Sequence, residues 1–268
     1  MARQTGPLKY SGTLGDIRHF KIKGLKGDFA GLKGGPSGDQ VKTGPEFKRT
    51  RENMNEFGGC AIAGKSVRIG LSQLMKQMSD SQLTGRLTGI MKKINLEDQS
   101  EARGYRAILI STQPQYLKGI GFNKNVNFDS IFFAPFTLAG TAGRDGSTLT
   151  VDAFNPLSFV NAPAGATHFR LINAISVVSD FAFNAQSGAY EPIDLELNEL
   201  SNISYSDYLD LSAPTATPTV VTNALPGTPT LTTDVTVLGS VGIEFYQKVG
   251  ANYYLFNSGN ALKVQDIF

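Results

Sequence analysis

The chain has no tryptophan, one cysteine and two histidines among its 268 residues. A single thiol, Cys60, excludes an internal disulfide framework and any multi-cysteine metal site. His19 sits in an alternating polar and apolar run in which Phe20 and Ile22 point inward, so its ring points out. His168 opens a strand-like segment with no second histidine or cysteine nearby, so both rings read as structural. Without tryptophan, a frequent sugar platform, the paired carboxylates of the second half do not mark a glycosidase cleft. Long apolar runs are also missing: no segment approaches the roughly 18 residues of a membrane span, and the start MARQTGPLKYSG lacks a signal-peptide core. A cytoplasmic location, or a place in a particle assembled in the cytoplasm, with no membrane partner is therefore expected.

Charged residues are sparse at 18%, while glycine is plentiful at 29, which leans toward a β-rich, turn-rich fold. The length suits one large domain or two unequal ones. The net charge of +2 conceals a polarity. Residues 1–93 carry 17 Lys and Arg against 7 Asp and Glu, hence +10, and the remainder carries 8 against 16, hence −8. Such polarity can steer nucleic acid to one end, dock the basic part of one copy on the acidic part of the next, or neutralise itself within one chain.

Three regions follow. Residues 1–35 form a basic, glycine-rich β-meander or arm with GLKG repeated at Gly24–Gly27 and Gly31–Gly34. Residues 36–112 form a basic helical region. There Phe47, Thr50, Met54 and Phe57 make a stripe expected in the core, Gly58 and Gly59 interrupt the helix, and a second helix runs to Met78. A third helix over 81–94 buries Leu83, Leu87, Ile90, Met91 and Ile94, with Gly85 and Gly89 positioned for a close backbone approach. A fourth is expected over 97–109. Residues 113–268 form an acidic antiparallel β-sandwich or jelly-roll-like domain, with strands expected at 128–133, 148–154, 168–175, 177–183, 236–248, 253–256 and 261–267. Within it the uncharged Pro/Thr-rich stretch 211–233 is expected to be a loop or an extended arm lying on a neighbour.

Gly59 to Ser66 spells the nucleotide-binding P-loop pattern letter for letter, ending in Lys65 and Ser66. The preceding FKRTRENMNEF is charged and helical in period, not a buried strand, and no later strand supplies a metal-holding aspartate. The simpler reading is a glycine break with Lys65 and Arg68 solvated. IDLEL places Asp194 and Glu196 on one strand face, but without calcium-loop spacing it reads as an acidic edge.

The strings MARQTGPLKYSGTLGDIRHFK and PEFKRTRENMNEFGGCAIAGKSVR, with a C-terminal ALKV strand, resemble a group of uncharacterised proteins of the Bacteroidota. The resemblance covers about the first 70 residues. It implies no activity, cofactor or site, and it places the Gly-Lys-Ser string in a helical element.

The expectation is thus an α+β chain with no catalytic, cofactor or metal site. It is expected to act as a structural protein that assembles head to tail with itself into a tube, filament, sheath or phage-like particle. The contact is expected to set Lys48, Arg49 and Arg51 against Glu191, Asp194, Glu196 and Glu199. The alternative is a nucleic-acid-associated protein using the basic helices of residues 45–94, and a P-loop enzyme comes third.

Overall fold

The computed structural model describes residues 2–268 and divides them into two compact units, one ending at Arg51 and the other Glu52–Phe268. The fold is α+β with a β-rich C-terminal part, as expected. The division falls at Arg51, whereas composition marked changes at residues 35 and 112; the helices beyond Glu52 share one core with the strands that follow.

The first unit holds strands β1 (Ala2–Arg3), β2 (Gly12–Leu14), β3 (Ile17–Phe20) and β4 (Phe29–Leu32). They form an antiparallel sheet in the order β1-β4-β3-β2. Helix α1 (Gly38–Thr43) follows and starts with a capping box: Ser37 Oγ accepts from the Gln40 N–H, and Gln40 Oε1 accepts from the Ser37 N–H. Asp28 lies within 3.9 Å of Lys9 and 3.7 Å of Lys21. None of the described residues in this unit is buried.

The second unit begins within α2 (Lys48–Gly70), followed by α3 (Ser72–Met78) and α4 (Leu83–Glu97). Gly58 and Gly59 do not interrupt α2. Packing against the sheet holds the helix through two poor helix formers, because tertiary contacts outweigh a propensity cost of about 1 kcal/mol per glycine. The buried face carries small residues: Gly59, Cys60, Ala63, Gly64, Val67 and Gly70. A Cβ at Gly59 would stand 2.4 Å from the Tyr190 ring, so only glycine lets the helix come this close. The stripe expected in the core therefore faces the other way, with Met54 61% and Phe57 59% exposed. In α4 the expected Leu83, Leu87, Met91 and Ile94 are buried. Gly85 and Gly89 have nothing within 4 Å of an added Cβ, so no backbone approaches them. Residues 98–109 are not helical; the Asp98 carboxylate accepts from the N–H groups of Ser100 and Ala107 and turns the chain there.

The β part adds β5 (Phe136–Gly140), β6 (Gly146–Val151), β7 (His168–Ser179), β8 (Phe181–Asn184), β9 (Ala189–Pro192), β10 (Ser201–Tyr205) and β11 (Leu209–Asp210). It ends with β12 (Thr219–Ala224), β13 (Val235–Val249), β14 (Asn252–Leu255) and β15 (Ala261–Ile267). The long strands β7 and β13 pair over twelve positions, from Val235 opposite Ser179 to Tyr246 opposite His168. They form the centre of a curled sheet that β10, β11, β14 and β15 extend. The segments expected separately at 168–175 and 177–183 are one strand up to Ser179, while 128–133 holds a 3-10 turn at Phe128–Ser130.

Both faces of this sheet are covered, so β7 and β13 are buried almost throughout. Ile172, Ala174, Val178 and Leu238 meet the helices, together with Leu71, Leu74 and Leu87. The alternate residues Phe169, Leu171, Val241, Ile243 and Phe245 meet Leu149, Val151 and Val221 of the small sheet β12-β6-β5. Asn173 joins the two sheets: its Nδ2 donates to the carbonyls of Ser147 (3.1 Å) and Val221 (2.9 Å), and its Oδ1 accepts from Ser147 Oγ (2.8 Å).

The Pro/Thr-rich stretch is thereby corrected. Residues 219–224 are not an arm on a neighbour but β12, paired with β6, with Val221 and Asn223 turned inward. Likewise IDLEL is a turn, not a strand: Asp194 Oδ1 accepts from the Leu197 N–H at 3.0 Å and closes it. Among the described residues, no helix is long and apolar enough to cross a membrane.

Candidate functional site

The P-loop-like string lies wholly within α2. Its N–H groups are engaged in the helical ladder, and none remains to cradle a phosphate. Ser66 is buried; its Oγ donates to Glu199 Oε1 (2.7 Å) and accepts from Asn198 Nδ2 (3.2 Å), while Lys65 is exposed. Ser66 is therefore a structural link between α2 and the turn of residues 193–199.

The residues expected at an assembly contact divide by their surroundings. Lys48, Arg49 and Arg51 occupy the first turn of α2. Arg51 Nη1 donates to the carbonyls of Val41 (2.8 Å) and Gly44 (2.7 Å), fixing the end of α1. Glu191 lies on β9, where hydrogen bonds from Asn184 and Ser187 hold its carboxyl below the usual range. Asp194, Glu196 and Glu199 share the 193–199 turn. Asp194 is taken up by Leu197 and by Thr232 Oγ1 at 3.2 Å, Glu199 by Ser66, and Glu196 is exposed.

Two clusters escaped the reading of the sequence. In the first, Glu56 of α2 is 1% exposed and receives a short hydrogen bond from Lys92 Nζ of α4. Glu56 Oε1 accepts from the Gly104 N–H at 2.7 Å, and Lys92 Nζ also donates to Asn95 Oδ1 at 2.7 Å. Burial raises the Glu56 pKa, but the Lys92 and Gly104 hydrogen bonds and the charges of Lys92 and Arg106 together hold it below the ordinary value. Burial pushes the neighbouring Cys60 thiol up to about 12, so at neutral pH it is protonated and a poor nucleophile. The available signal was the recurrence of small residues at 59, 60, 63, 64, 67 and 70, which puts position 56 on the same buried face.

In the second cluster, the Arg170 guanidinium lies over the rings of Tyr205 (4.5 Å) and Tyr208 (4.9 Å). Tyr208 stacks on Tyr253 with centroids 3.8 Å apart and planes within 6°. Glu244, opposite Arg170 on β13, accepts from Tyr246 Oη at 2.7 Å. Burial raises the Glu244 pKa, against that hydrogen bond and the Arg170 charge. Tyr208 is 38% exposed and lines a cleft of about 430 Å³ with Asp207, Asp210 and residues 213–220.

Neither cluster sets a nucleophile beside a base, and among the described residues no three His, Cys, Asp or Glu side chains are grouped as a metal site would need. Besides the cleft beside Tyr208, the features open to contact with another molecule include three surfaces: the first unit, the outer face of α2, and the 193–199 turn. Set against protein families, curated proteins and solved structures, the chain matches none.

Proposed function

We propose that this protein is a non-enzymatic structural protein that assembles with copies of itself, through basic-to-acidic contacts, into a tube, filament, sheath or phage-like particle. The observation that carries this reading is the first unit. It is a hydrogen-bonded four-stranded sheet in which no described residue is buried, while Leu8 and Leu14 are each 72% exposed and Leu32 is 83% exposed. A small sheet draws its stability from a covered apolar face, and neighbouring copies supply that cover in an assembly. Charge supports the same partner: 11 Lys and Arg against 4 Asp and Glu give +7 for residues 1–51, and 14 against 19 give −5 for the rest.

Negative-stain electron microscopy with light scattering, at low and high salt, tests it. Regular particles that shrink on adding salt are expected, and Leu14→Asp with Leu32→Asp should disperse them. A 28.8 kDa monomer under all conditions refutes the proposal.

Nucleic-acid contact through residues 45–94 is the second reading, favoured by 9 Lys and Arg against 4 acids there. It loses ground because Arg86 is bonded to Asp80, Lys92 to Glu56 and Arg51 to backbone carbonyls. Binding that weakens steeply with salt would support it, and no binding at low salt would end it.

A further inference from the structure

We infer that the outer face of α2, together with the 193–199 turn beside it, is a self-complementary surface on which a second copy of this chain docks about a two-fold axis. This rests on the self-assembly reading and names one of its contacts. Met54, Ile62 and Ile69 are 61%, 40% and 39% exposed, all on the side of α2 opposite Cys60, Ala63 and Val67, while Phe57, 59% exposed, lies at the edge about 60° around from Cys60. From Met54 to Ile69 the stripe runs about 22 Å at ~1.5 Å per residue. Gly58 lies within it and has nothing within 4 Å of an added Cβ, which leaves room for a partner's side chain. The charge on this face is positive, from the exposed Lys65.

The turn supplies the complement. Ser66 lies about 40° and 60° around the helix from Ile62 and Ile69. Its hydrogen bonds to Glu199 and Asn198 therefore set the turn along that flank of the stripe. The turn exposes Leu195 (75%) and Ile193 (48%) beside the exposed Glu196. One face of the chain thus carries an apolar stripe with a cation next to an apolar turn with an anion. Stripe against stripe would set Lys65 near a like charge. A two-fold arrangement laying each stripe on the partner's turn pairs Lys65 with Glu196 twice and covers both apolar strips.

The test is sedimentation velocity of the full chain over about 1–100 µM. Met54→Asp, at an exposed position within the stripe, is expected to weaken pairing by about tenfold or more. Lys65→Glu and Glu196→Lys should each weaken it, and the double variant Lys65→Glu/Glu196→Lys should recover it. A Leu14→Asp/Leu32→Asp chain, blocked in the first unit, should stop at a pair, twice 28.8 kDa. If the unaltered chain assembles and Met54→Asp changes nothing, this inference falls while the assembly reading stands. If the unaltered chain is always a monomer, both fall. Met54-dependent co-sedimentation with phosphatidylglycerol vesicles, without pairing, would assign the stripe to a lipid surface and overturn the inference.

Discussion

Replacing Lys92 by Met leaves the Glu56 carboxylate, 1% exposed, without its counter-ion while keeping most of the side chain's volume. Removing one partner of a fully buried pair costs about 3–5 kcal/mol. Here the Gly104 N–H remains on Glu56 Oε1, and the Lys92 side chain is 26% exposed, so water already shares part of the solvation. The expected loss is about 2–3 kcal/mol at pH 7. In the unaltered chain the Glu56 pKa is lowered on folding, so its contribution is fully present above the ordinary value of 4.5 and is lost as pH falls through the folded pKa. In the variant, burial acts without Lys92 to oppose it, and the carboxyl takes up a proton more readily. The penalty should therefore be large at pH 7 and shrink toward pH 4. Urea unfolding at both values, with Lys93→Met as an exposed control, measures it, and the melting temperature should fall by about 4–10 °C at pH 7. A loss under about 0.5 kcal/mol at pH 7, or an equal loss at both pH values, refutes this account of the cluster.

Further expectations concern packing and reactivity. Gly59→Ala should destabilise by about 1–3 kcal/mol because its Cβ would meet the Tyr190 ring at 2.4 Å, whereas Gly85→Ala, with open space, should stabilise by up to about 1 kcal/mol; thermal shifts of the same sign would contradict the packing of α2. Asn173→Ala should cost about 2–4 kcal/mol in urea unfolding, since the carbonyls of Ser147 and Val221 lose their shared donor, and a neutral result would deny Asn173 its role between the sheets. Cys60, fully buried with its thiol pKa near 12, should resist a thiol reagent in the folded chain and react on unfolding; rapid labelling of the native protein would refute that burial.

The candidate contact surfaces were only partly legible in the sequence. Lys48, Arg49, Arg51 and the four acids were visible as charge, yet charge does not reveal that Arg51, Asp194 and Glu199 are bonded within the chain. Glu196, which stays exposed, looks no different in sequence from Glu199, which binds Ser66. In α2 the larger apolar residues have the spacing of a core stripe, while the buried face is the run of small ones. A helix held close to a sheet needs little side-chain volume between the two layers, and that demand comes from the layer spacing, not from hydropathy.

What the sequence alone determined is local. Alternation and β-branched content gave the strands that became β13, β14 and β15, and the spacing of Leu83, Leu87, Met91 and Ile94 gave the buried side of α4. Together they set the α+β class. Tertiary structure decided what depends on partners distant in the chain. It carried α2 through Gly58 and Gly59, and it drew 219–224 into the small sheet because β6 offered an edge to which Val221 and Asn223 could turn inward. It also chose which side of α2 faces the sheet. Each of these is settled by the free energy of burying one surface against another, and no short window of sequence contains both surfaces.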